Sequence, residues 1–264
     1  MGLTTQWLNA SVAHIQDLYG VAAFLVLGSN KGLLIDTCMG MDNIKKEAES
    51  LTALPFDLAL THGHLDHVGG IGYFSKAYIH PNDIPLATEH SSIEFRAERN
   101  PDIPTKDLAP SFAGEYLPLE DGQVFDLGGL SVETIALHGH TKGSMCFLIR
   151  ECRAILFGDA CNINTLIMKE YSTTISEYLK NLKTFKSREK DYDTVYYSHG
   201  SAIGPTECLD DNIELCERIL AGKDDALPCE AFGRNAYRAA AMDESYRRLD
   251  GKFGNIVYSK ENAI

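Results

Sequence analysis

Three histidines and one aspartate lie within six residues of this chain, directly after a short apolar run. His62 and His64 stand two residues apart beyond a predicted strand at residues 56–60, so both side chains can point the same way. Asp66 and His67 then fall at the start of the next helix. Imidazole and carboxylate are common ligands of zinc and similar divalent ions. Four such groups are too many for one tetrahedral ion that also holds water, so the segment predicts one wall of a two-ion site.

Three further candidate ligands also follow predicted strands. They are His140 in a glycine-bearing turn after residues 130–137, Asp159 after residues 154–157, and His199 after residues 194–198. Loops at the ends of strands carry functional side chains on a rigid scaffold. We therefore expect all three residues to meet the histidine cluster at one edge of a sheet.

The motifs HxHxDH, GHT, GDA and SHG occur in this order between residues 62 and 199. Together they resemble the metallo-β-lactamase-fold hydrolase superfamily, and within it the glyoxalase II-like branch, whose motif Thr61 opens and Gly69-Gly70 closes. The resemblance implies that Asp36 supports the site without being a ligand. It also implies zinc as the metal, with iron or manganese as alternatives. By the same resemblance, one ion would be held by His62, His64 and His140 and the other by Asp66, His67 and His199, with Asp159 bridging them.

The resemblance further implies a mechanism and a substrate class. Two ions roughly 3.5–4 Å apart would share a hydroxide as the nucleophile, while Asp66 orients it and accepts its proton. We therefore expect a hydrolase of small esters or thioesters. A lactonase of the same fold and an iron-dependent oxidoreductase are alternatives, because imidazole and carboxylate also suit iron. A protein that holds the ions without turnover is a third alternative.

Five residues are candidate substrate contacts: Tyr73, Cys161, Tyr171, Arg234 and Arg238. A tyrosine beside a metal suits a developing oxyanion. Cys161 follows Asp159 by two residues, although a small buried hydrophobe is the alternative interpretation. In glyoxalase II a basic C-terminal region binds an acidic substrate, and the resemblance implies that Arg234 or Arg238 could do the same. Alternatively, the two arginines face solvent or form a homo-oligomer interface.

Four histidines fall outside these motifs. His14, His80 and His90 are isolated, and a lone histidine is usually structural or exposed. His138 adjoins the turn that carries His140, so it could line the pocket, although a supporting or surface role is favoured.

Strands and helices occur in two repeating blocks, which predicts an α/β fold, a four-layer αββα sandwich with the metals at one edge. Residues 1–205 form the predicted catalytic domain. Within it, residues 80–118 are rich in proline and are interpreted as a lid over the site or as a linker. Residues 206–264 form a predicted helical extension packed on the same domain. Locally, the pattern predicts a hairpin turn at residues 28–32 and a capped helix after Thr174.

Charge and composition narrow the range of partners. The net charge is −13 and the first two thirds of the chain carry no basic tract, which disfavours nucleic acid as a partner. The longest apolar run, residues 21–27, is too short to span a membrane, and residues 1–16 do not resemble a signal peptide. Seven cysteines without paired spacing argue against a disulfide framework. We expect a cytoplasmic enzyme that acts on a small molecule.

Overall fold

A seven-stranded sheet covered by helices forms the first half of the protein. The computed structural model describes residues 2–168 and 170–263. The sheet follows chain order, antiparallel from its first to its fourth strand and parallel from there to its seventh. Its strands and helices are β1 (Thr4–Trp7), β2 (Val12–Gln16), β3 (Ala22–Leu27), β4 (Gly32–Ile35), α1 (Ile44–Leu51), β5 (Phe56–Ala59), α2 (Leu65–Val68), β6 (Lys76–Ile79), α3 (Ile84–His90), α4 (Ile93–Arg99) and β7 (Glu115–Pro118).

The second half contributes two further sheets. A six-stranded sheet has the order β14-β13-β11-β10-β9-β8, and a four-stranded sheet has the order β12-β17-β16-β15. The elements are β8 (Val124–Asp126), β9 (Ser131–Ala136), β10 (Met145–Ile149), β11 (Ala154–Leu156), β12 (Thr165–Ile167), α5 (Ile175–Phe185), β13 (Thr194–Tyr196), β14 (Ile203–Gly204), α6 (Cys208–Leu220), β15 (Leu227–Ala231), β16 (Arg234–Arg238) and β17 (Ile256–Tyr258).

Alternation of side chains along the buried strands produces the layers. On β3, Phe24 points into the core between the two large sheets, whereas Leu25 points into the core beneath α1. On β10, Phe147 enters the same central core and Leu148 packs towards α5 and α6. Because successive side chains of a strand face opposite ways, each large sheet is apolar on both faces and needs a helical layer outside it. The predicted α/β sandwich of four layers is confirmed.

Local signals in the sequence correspond to observed elements. The turn at residues 28–32 joins β3 to β4 as an antiparallel hairpin. Asn43 caps α1 by accepting a hydrogen bond from the backbone N–H of Lys46. Thr174 likewise caps α5 by accepting from the N–H of Glu177, which satisfies one of the first unpaired amides of that helix.

The structure corrects the expectation of a helical C-terminal extension. Helix α6 is present, but the residues after it form β15, β16 and β17, which pair with β12 to make the third sheet. The run Ile256-Val257-Tyr258 is β-branched and aromatic, a composition typical of strands. This strand was not predicted, because the basic residues of the C-terminal region are also typical of an exposed face of a helix. The third sheet packs Ile256 and Tyr258 into the same core as α5 and α6.

The segment 80–118 is built into the helical layer and the first sheet. It contains α3 and α4, and its last strand, β7, extends the first sheet beside β6. Ala87 of α3 is wholly buried in the core beneath the helices. Its role as a lid stays a prediction. No helix in the described part of the chain is long and apolar enough to cross a bilayer.

Candidate metal centre

The candidate ligands lie in loops that follow strands at one edge of the sandwich. The histidine cluster follows β5, His140 follows β9, Asp159 follows β11 and His199 follows β13. Backbone hydrogen bonds hold these loops together across the two large sheets. The N–H of Met145 donates to Thr61 O at 2.8 Å, and the N–H of Ala22 donates to Ser198 O at 2.8 Å. The two sheets therefore present their loops to a single site.

His62, His64 and His140 form the first group of possible ligands, with candidate ligand atoms within 4.8 Å of one another. Nδ1 of His64 lies 2.8 Å from Nε2 of His140. Nδ1 of His140 is 2.8 Å from Leu166 O, so its proton sits there and Nε2 is left as an acceptor. This group can offer nitrogen lone pairs to a cation.

Asp66, His67, Asp159 and His199 form the second group, also within 4.8 Å of one another. Oδ2 of Asp159 lies 3.2 Å from Nε2 of His199 and 3.8 Å from Nε2 of His67. The same oxygen lies 3.8 Å from Nε2 of His140, which belongs to the first group. Asp159 therefore adjoins both groups.

A buried carboxylate, Asp36, organises the residues behind the second group. Its Oδ2 accepts from Nδ1 of His67 at 2.8 Å and from the hydroxyl of Thr61 at 2.7 Å, while Oδ1 accepts from the Thr61 N–H at 2.8 Å. Asp36 has a φ of +64°, which is uncommon for a residue with a side chain. The bond to His67 directs Nε2 of that ring towards Asp159. This is how carboxylates usually orient metal-binding histidines.

Burial and charge shift the pKa values within the site. Burial lowers the pKa values of His62 and His64 well below the ordinary value, which favours the neutral, ligating form. Burial alone would also lower the pKa of His67, but the Asp66 and Asp36 carboxylates hold it well above the usual range. Asp159 raises the pKa of His199 to about 8. In the second group, imidazolium charge therefore balances the carboxylates when no metal is bound.

Unpaired buried atoms test whether the residues fit metal ions. Nε2 of His62, Nε2 of His67 and Oδ1 of Asp159 are buried and make no hydrogen bond within the protein. Burying polar atoms without partners is costly, and native proteins usually provide partners for them. All three atoms belong to the two groups, so bound cations would satisfy them. The donor set fits two divalent ions and suits zinc, iron or manganese.

Two residues of the segment 80–118 reach the site, although its sequence carries no metal motif. Asp83 is buried and accepts from the Gly63 N–H at 2.9 Å and from the Thr141 hydroxyl at 2.7 Å, which links the loops that carry His62 and His140. A Cβ on Gly63 would lie 2.8 Å from the backbone nitrogen of Ala87, so only glycine fits beside α3.

The second such residue is His90, which was expected to be structural or exposed. Its Nδ1 accepts from the Leu65 N–H at 3.1 Å, and its ring stacks on His64 with centroids 5.5 Å apart. Burial lowers its pKa to about 4. His90 is thus a buried neighbour of a candidate ligand. An isolated histidine offers no local pattern by which this position could have been found.

The structure places some of the predicted substrate contacts near the site and others away from it. Tyr171 lies at the site, with its ring 5.9 Å from that of His64, and Arg234 lies near Tyr171 and pairs with Glu170 at 3.0 Å. Arg238 lies on the same strand two side chains further from the hairpin tip, where its Nε is buried without a partner.

Two other candidates lie elsewhere and are corrected. Cys161 is wholly buried in the core beneath α6, where its sulfur accepts from the Asn212 side chain at 3.3 Å. Tyr73 is half-buried against the helical layer, beside Arg96 and Asp42. The turn between β11 and β12 directs Cys161 inward, which adjacency to Asp159 in the sequence does not reveal. The histidines His80 and His138 pair with each other, with ring centroids 4.7 Å apart, and His14 packs on Phe24.

Comparisons with known proteins show what this chain is similar to. The sequence model of the family described as Metallo-beta-lactamase superfamily matches residues 17–199. The Atrochrysone carboxyl ACP thioesterase dmxR1 of Cryptosporiopsis sp. (strain 8999) is 27% identical over 191 residues, which cover 70% of this chain and 51% of that protein. The Acyl-coenzyme A thioesterase MBLAC2 of Homo sapiens is 24% identical over 177 residues, which cover 59% of this chain and 63% of that protein.

A solved structure shares the architecture. The Metallo-beta-lactamase from Pontibacter korlensis superposes with a TM-score of 0.62 at 15% identity, covering 82% of this chain and 99% of that one. At this identity the likeness shows the fold alone. The matched stretch spans only part of each curated relative, from 39% to 63% of its length.

Proposed function

The chain belongs to the metallo-beta-lactamase superfamily, and from that premise we propose that it is a two-metal hydrolase of acyl thioesters. One observation carries the proposal: Oδ2 of Asp159 lies 3.2 Å from Nε2 of His199 and 3.8 Å from Nε2 of His140, and so touches both ligand groups. Similarity to proteins named as thioesterases supports a thioester as the bond that is cleaved. Zinc is the proposed metal.

The proposed chemistry divides between the ions and the chain. Bound divalent ions would supply an activated water as the nucleophile and an electrophile for the substrate carbonyl. Asp66 is half-buried, with Oδ2 3.4 Å from Nε2 of His199, and remains accessible to orient the water and accept its proton. Asp36 and Leu166 hold the rings of His67 and His140 with their ligating nitrogens directed inward.

The surroundings of Tyr171 support an anionic substrate. Charges of both signs act on the Tyr171 hydroxyl, from Glu89 and Glu170 as well as from Arg234 and Arg99. Arg234 is paired with Glu170 at 3.0 Å, whereas Arg99 lies over the Phe95 ring at 5.1 Å and makes no ion pair with a described residue, so its guanidinium can receive an anion. Burial raises the pKa of Tyr171, so its hydroxyl stays protonated and can donate a hydrogen bond. Guanidinium groups bind phosphate and carboxylate well. We therefore propose a thioester of an anionic carrier, which includes coenzyme A, carrier-bound pantetheine and glutathione.

Hydrolysis assays with zinc-loaded protein test the proposal. Acetyl-coenzyme A, octanoyl-coenzyme A and S-lactoylglutathione represent the thioesters, and γ-butyrolactone represents a neutral lactone. We expect turnover of at least one thioester and its loss in His62→Ala, by about 100-fold or more, because a ligand of the first group is removed. His80→Asn is the matched control, since asparagine keeps a capping acceptor at a histidine outside both groups.

Each outcome selects one function. Preference for S-lactoylglutathione supports the glyoxalase II-like branch, and preference for coenzyme A thioesters supports an acyl-carrier thioesterase. Cleavage of the lactone alone supports the lactonase. Oxygen consumption by the iron-loaded protein with glutathione persulfide supports the oxidoreductase. If His62→Ala in a metal-replete preparation hydrolyses thioesters as fast as the unchanged protein, the two-metal mechanism is wrong.

We also propose that the protein works in the cytoplasm on a small molecule. All seven cysteines are free, which suits a reducing compartment. Fractionation of the cells that express it, followed by immunoblotting, tests the location. Recovery in an exported fraction would contradict this proposal. Light scattering tests whether the C-terminal region forms a homo-oligomer.

A further inference from the structure

His90 occupies a position that its role as a packing residue does not explain. It ends α3 in the segment 80–118, yet its ring is enclosed by residues of the site. One face stacks on Phe95, with centroids 4.3 Å apart and planes 19° apart. The ring also stacks on His64 at 5.5 Å and meets the edge of Tyr171 at 5.8 Å. Contacts on several sides leave the ring little freedom to rotate, so the directions of its nitrogens are set by packing.

One hydrogen bond determines where the proton of His90 lies. Nδ1 accepts from the backbone N–H of Leu65, the first residue of α2, at 3.1 Å. A nitrogen that accepts from an amide carries no proton, so the ring is neutral and its proton is on Nε2. The same bond satisfies an amide at the start of the helix that carries Asp66 and His67. His90 therefore presents an N–H donor of defined direction.

The donor at Nε2 has no acceptor within hydrogen-bonding distance among residues 2–168 and 170–263. Nδ1 makes the ring's one hydrogen bond in this part of the chain, and Nε2 is absent from its buried unpaired atoms. The residue as a whole keeps 7% of its surface exposed. An uncharged donor that is fixed in direction, open to solvent and adjacent to His64 is available to a bound substrate.

We propose that His90 is a substrate-contacting residue whose Nε2–H donates a hydrogen bond to the acyl carbonyl oxygen. The proposal rests on the proposed thioester hydrolysis. A preorganised neutral donor costs no reorganisation when negative charge develops on that oxygen, so the bond strengthens in the transition state. It assigns to the segment 80–118 a direct part in the reaction beyond any action as a lid.

Two substitutions separate this role from packing. His90→Phe keeps an aromatic ring beside Phe95 but removes both nitrogens. His90→Gln can accept from the Leu65 N–H through its carbonyl oxygen and donate through its amide. We expect kcat for the preferred thioester to fall by about 100-fold in His90→Phe, with KM changed less than about threefold. We expect His90→Gln to keep most of kcat, because it restores a donor.

Two further measurements do not depend on enzymatic activity. Metal content and the thermal midpoint of each variant show whether a loss comes from the site or from unfolding. Nitrogen-15 NMR of histidine-labelled, zinc-loaded protein, with the His90 signals assigned by their loss in His90→Gln, reports the tautomer directly. We expect a protonated Nε2 and an unprotonated Nδ1. This result does not depend on any substrate, so it remains informative if His90→Phe does not fold.

Several results would overturn the proposal. They are a proton on Nδ1, full activity in His90→Phe, equal loss in both variants, or a loss explained entirely by missing metal. Failure of the proposed function gives a different result. In that case the unchanged, metal-loaded protein hydrolyses no thioester, whatever the tautomer of His90.

Discussion

Nδ1 of His67 lies 2.8 Å from Oδ2 of Asp36, and both side chains are shielded from solvent. Because Nδ1–H of His67 donates a hydrogen bond to this carboxylate, Nε2 of the ring faces Asp66 and Asp159. Asp36 also binds the backbone and hydroxyl of Thr61, so a single residue at the end of β4 positions the loop after β5. The second ligand group therefore depends on a residue that holds no metal itself.

Replacing Asp36 by asparagine should weaken metal binding at the second group. Asparagine tolerates the positive φ of this position, so the substitution mainly removes the charge that orients His67. We expect zinc affinity at this group to fall about 10- to 100-fold in competition with a chromophoric chelator. Asp57→Asn, a half-exposed aspartate on β5 paired with Lys31, is the matched control. Unchanged affinity at both groups in Asp36→Asn would exclude this role.

Zinc binding near neutral pH should release protons. Asp159 raises the pKa of His199 to about 8, so the metal-free protein holds His199 largely protonated at pH 7, and a ligand must lose that proton. Calorimetric zinc titrations in buffers of different ionisation enthalpy measure the release. We expect about one proton or more at pH 7, and fewer in His199→Ala. Binding without proton release at pH 7 would contradict the charge state assigned to His199.

The same shift makes the stability of the metal-free protein depend on pH. The pKa of His199 is higher in the folded state than the unfolded value of about 6.5, so folding stabilises the protonated form. This contribution is complete below pH ~6.5 and is lost as the pH rises through about 8. Urea unfolding of metal-free protein across this window should show a decline that is smaller in His199→Ala. The prediction would be wrong if stability instead rose with pH in this range and the rise disappeared in His199→Ala.

Gly69 should not tolerate a side chain. A Cβ at this position would lie 2.3 Å from the backbone carbonyl of Met39. A Cβ on Gly40, the next residue of the same loop, would lie 2.0 Å from the Gly69 carbonyl oxygen, so the two backbones are in direct contact at these glycines. We expect Gly69→Ala to lower the free energy of unfolding by about 1–3 kcal/mol or more. Chemical denaturation measures it. If the denaturation midpoint and the slope of the transition are both unchanged, the loops of Gly69 and Met39 can move apart without loss of stability.

Arg96 should hold the segment 80–118 against the metal-binding helix. Its buried guanidinium donates to Gly69 O at 2.8 Å and to Ala109 O, which joins α4 to the end of α2. Arg96→Leu would leave both carbonyls without this donor and lower the free energy of unfolding by about 2–4 kcal/mol. Arg99→Leu, at an exposed position on the same helix, is the control. Limited proteolysis should cut near residues 100–108 faster in Arg96→Leu alone, and equal rates in the two variants would refute the role.

Much of the architecture could be predicted because its signals are local. The apolar run of β3, the pattern of β10 and the cap at Thr174 each depend on a few neighbouring residues. The candidate ligands could also be predicted from the sequence, because each lies in the loop after a strand or in the short helix that follows it, and strand ends share one edge of a sheet. Strand β17 was not predicted because its pairing partner, β12, lies far away in sequence, whereas β15 and β16 form a local hairpin whose charged residues hid its strand pattern.

The order of amino acids was sufficient to identify which residues could hold metal ions and in what order the chain would supply them. Only the tertiary structure decided what surrounds those residues. Asp83 and His90 reach the site through the packing of α3 on Gly63 and α2, while Cys161, two residues from Asp159, turns into the core. Local patterns report whether a side chain is buried or exposed. Which distant side chain it meets depends on how helices and sheets pack, because close-packed interiors join residues without regard to their separation along the chain.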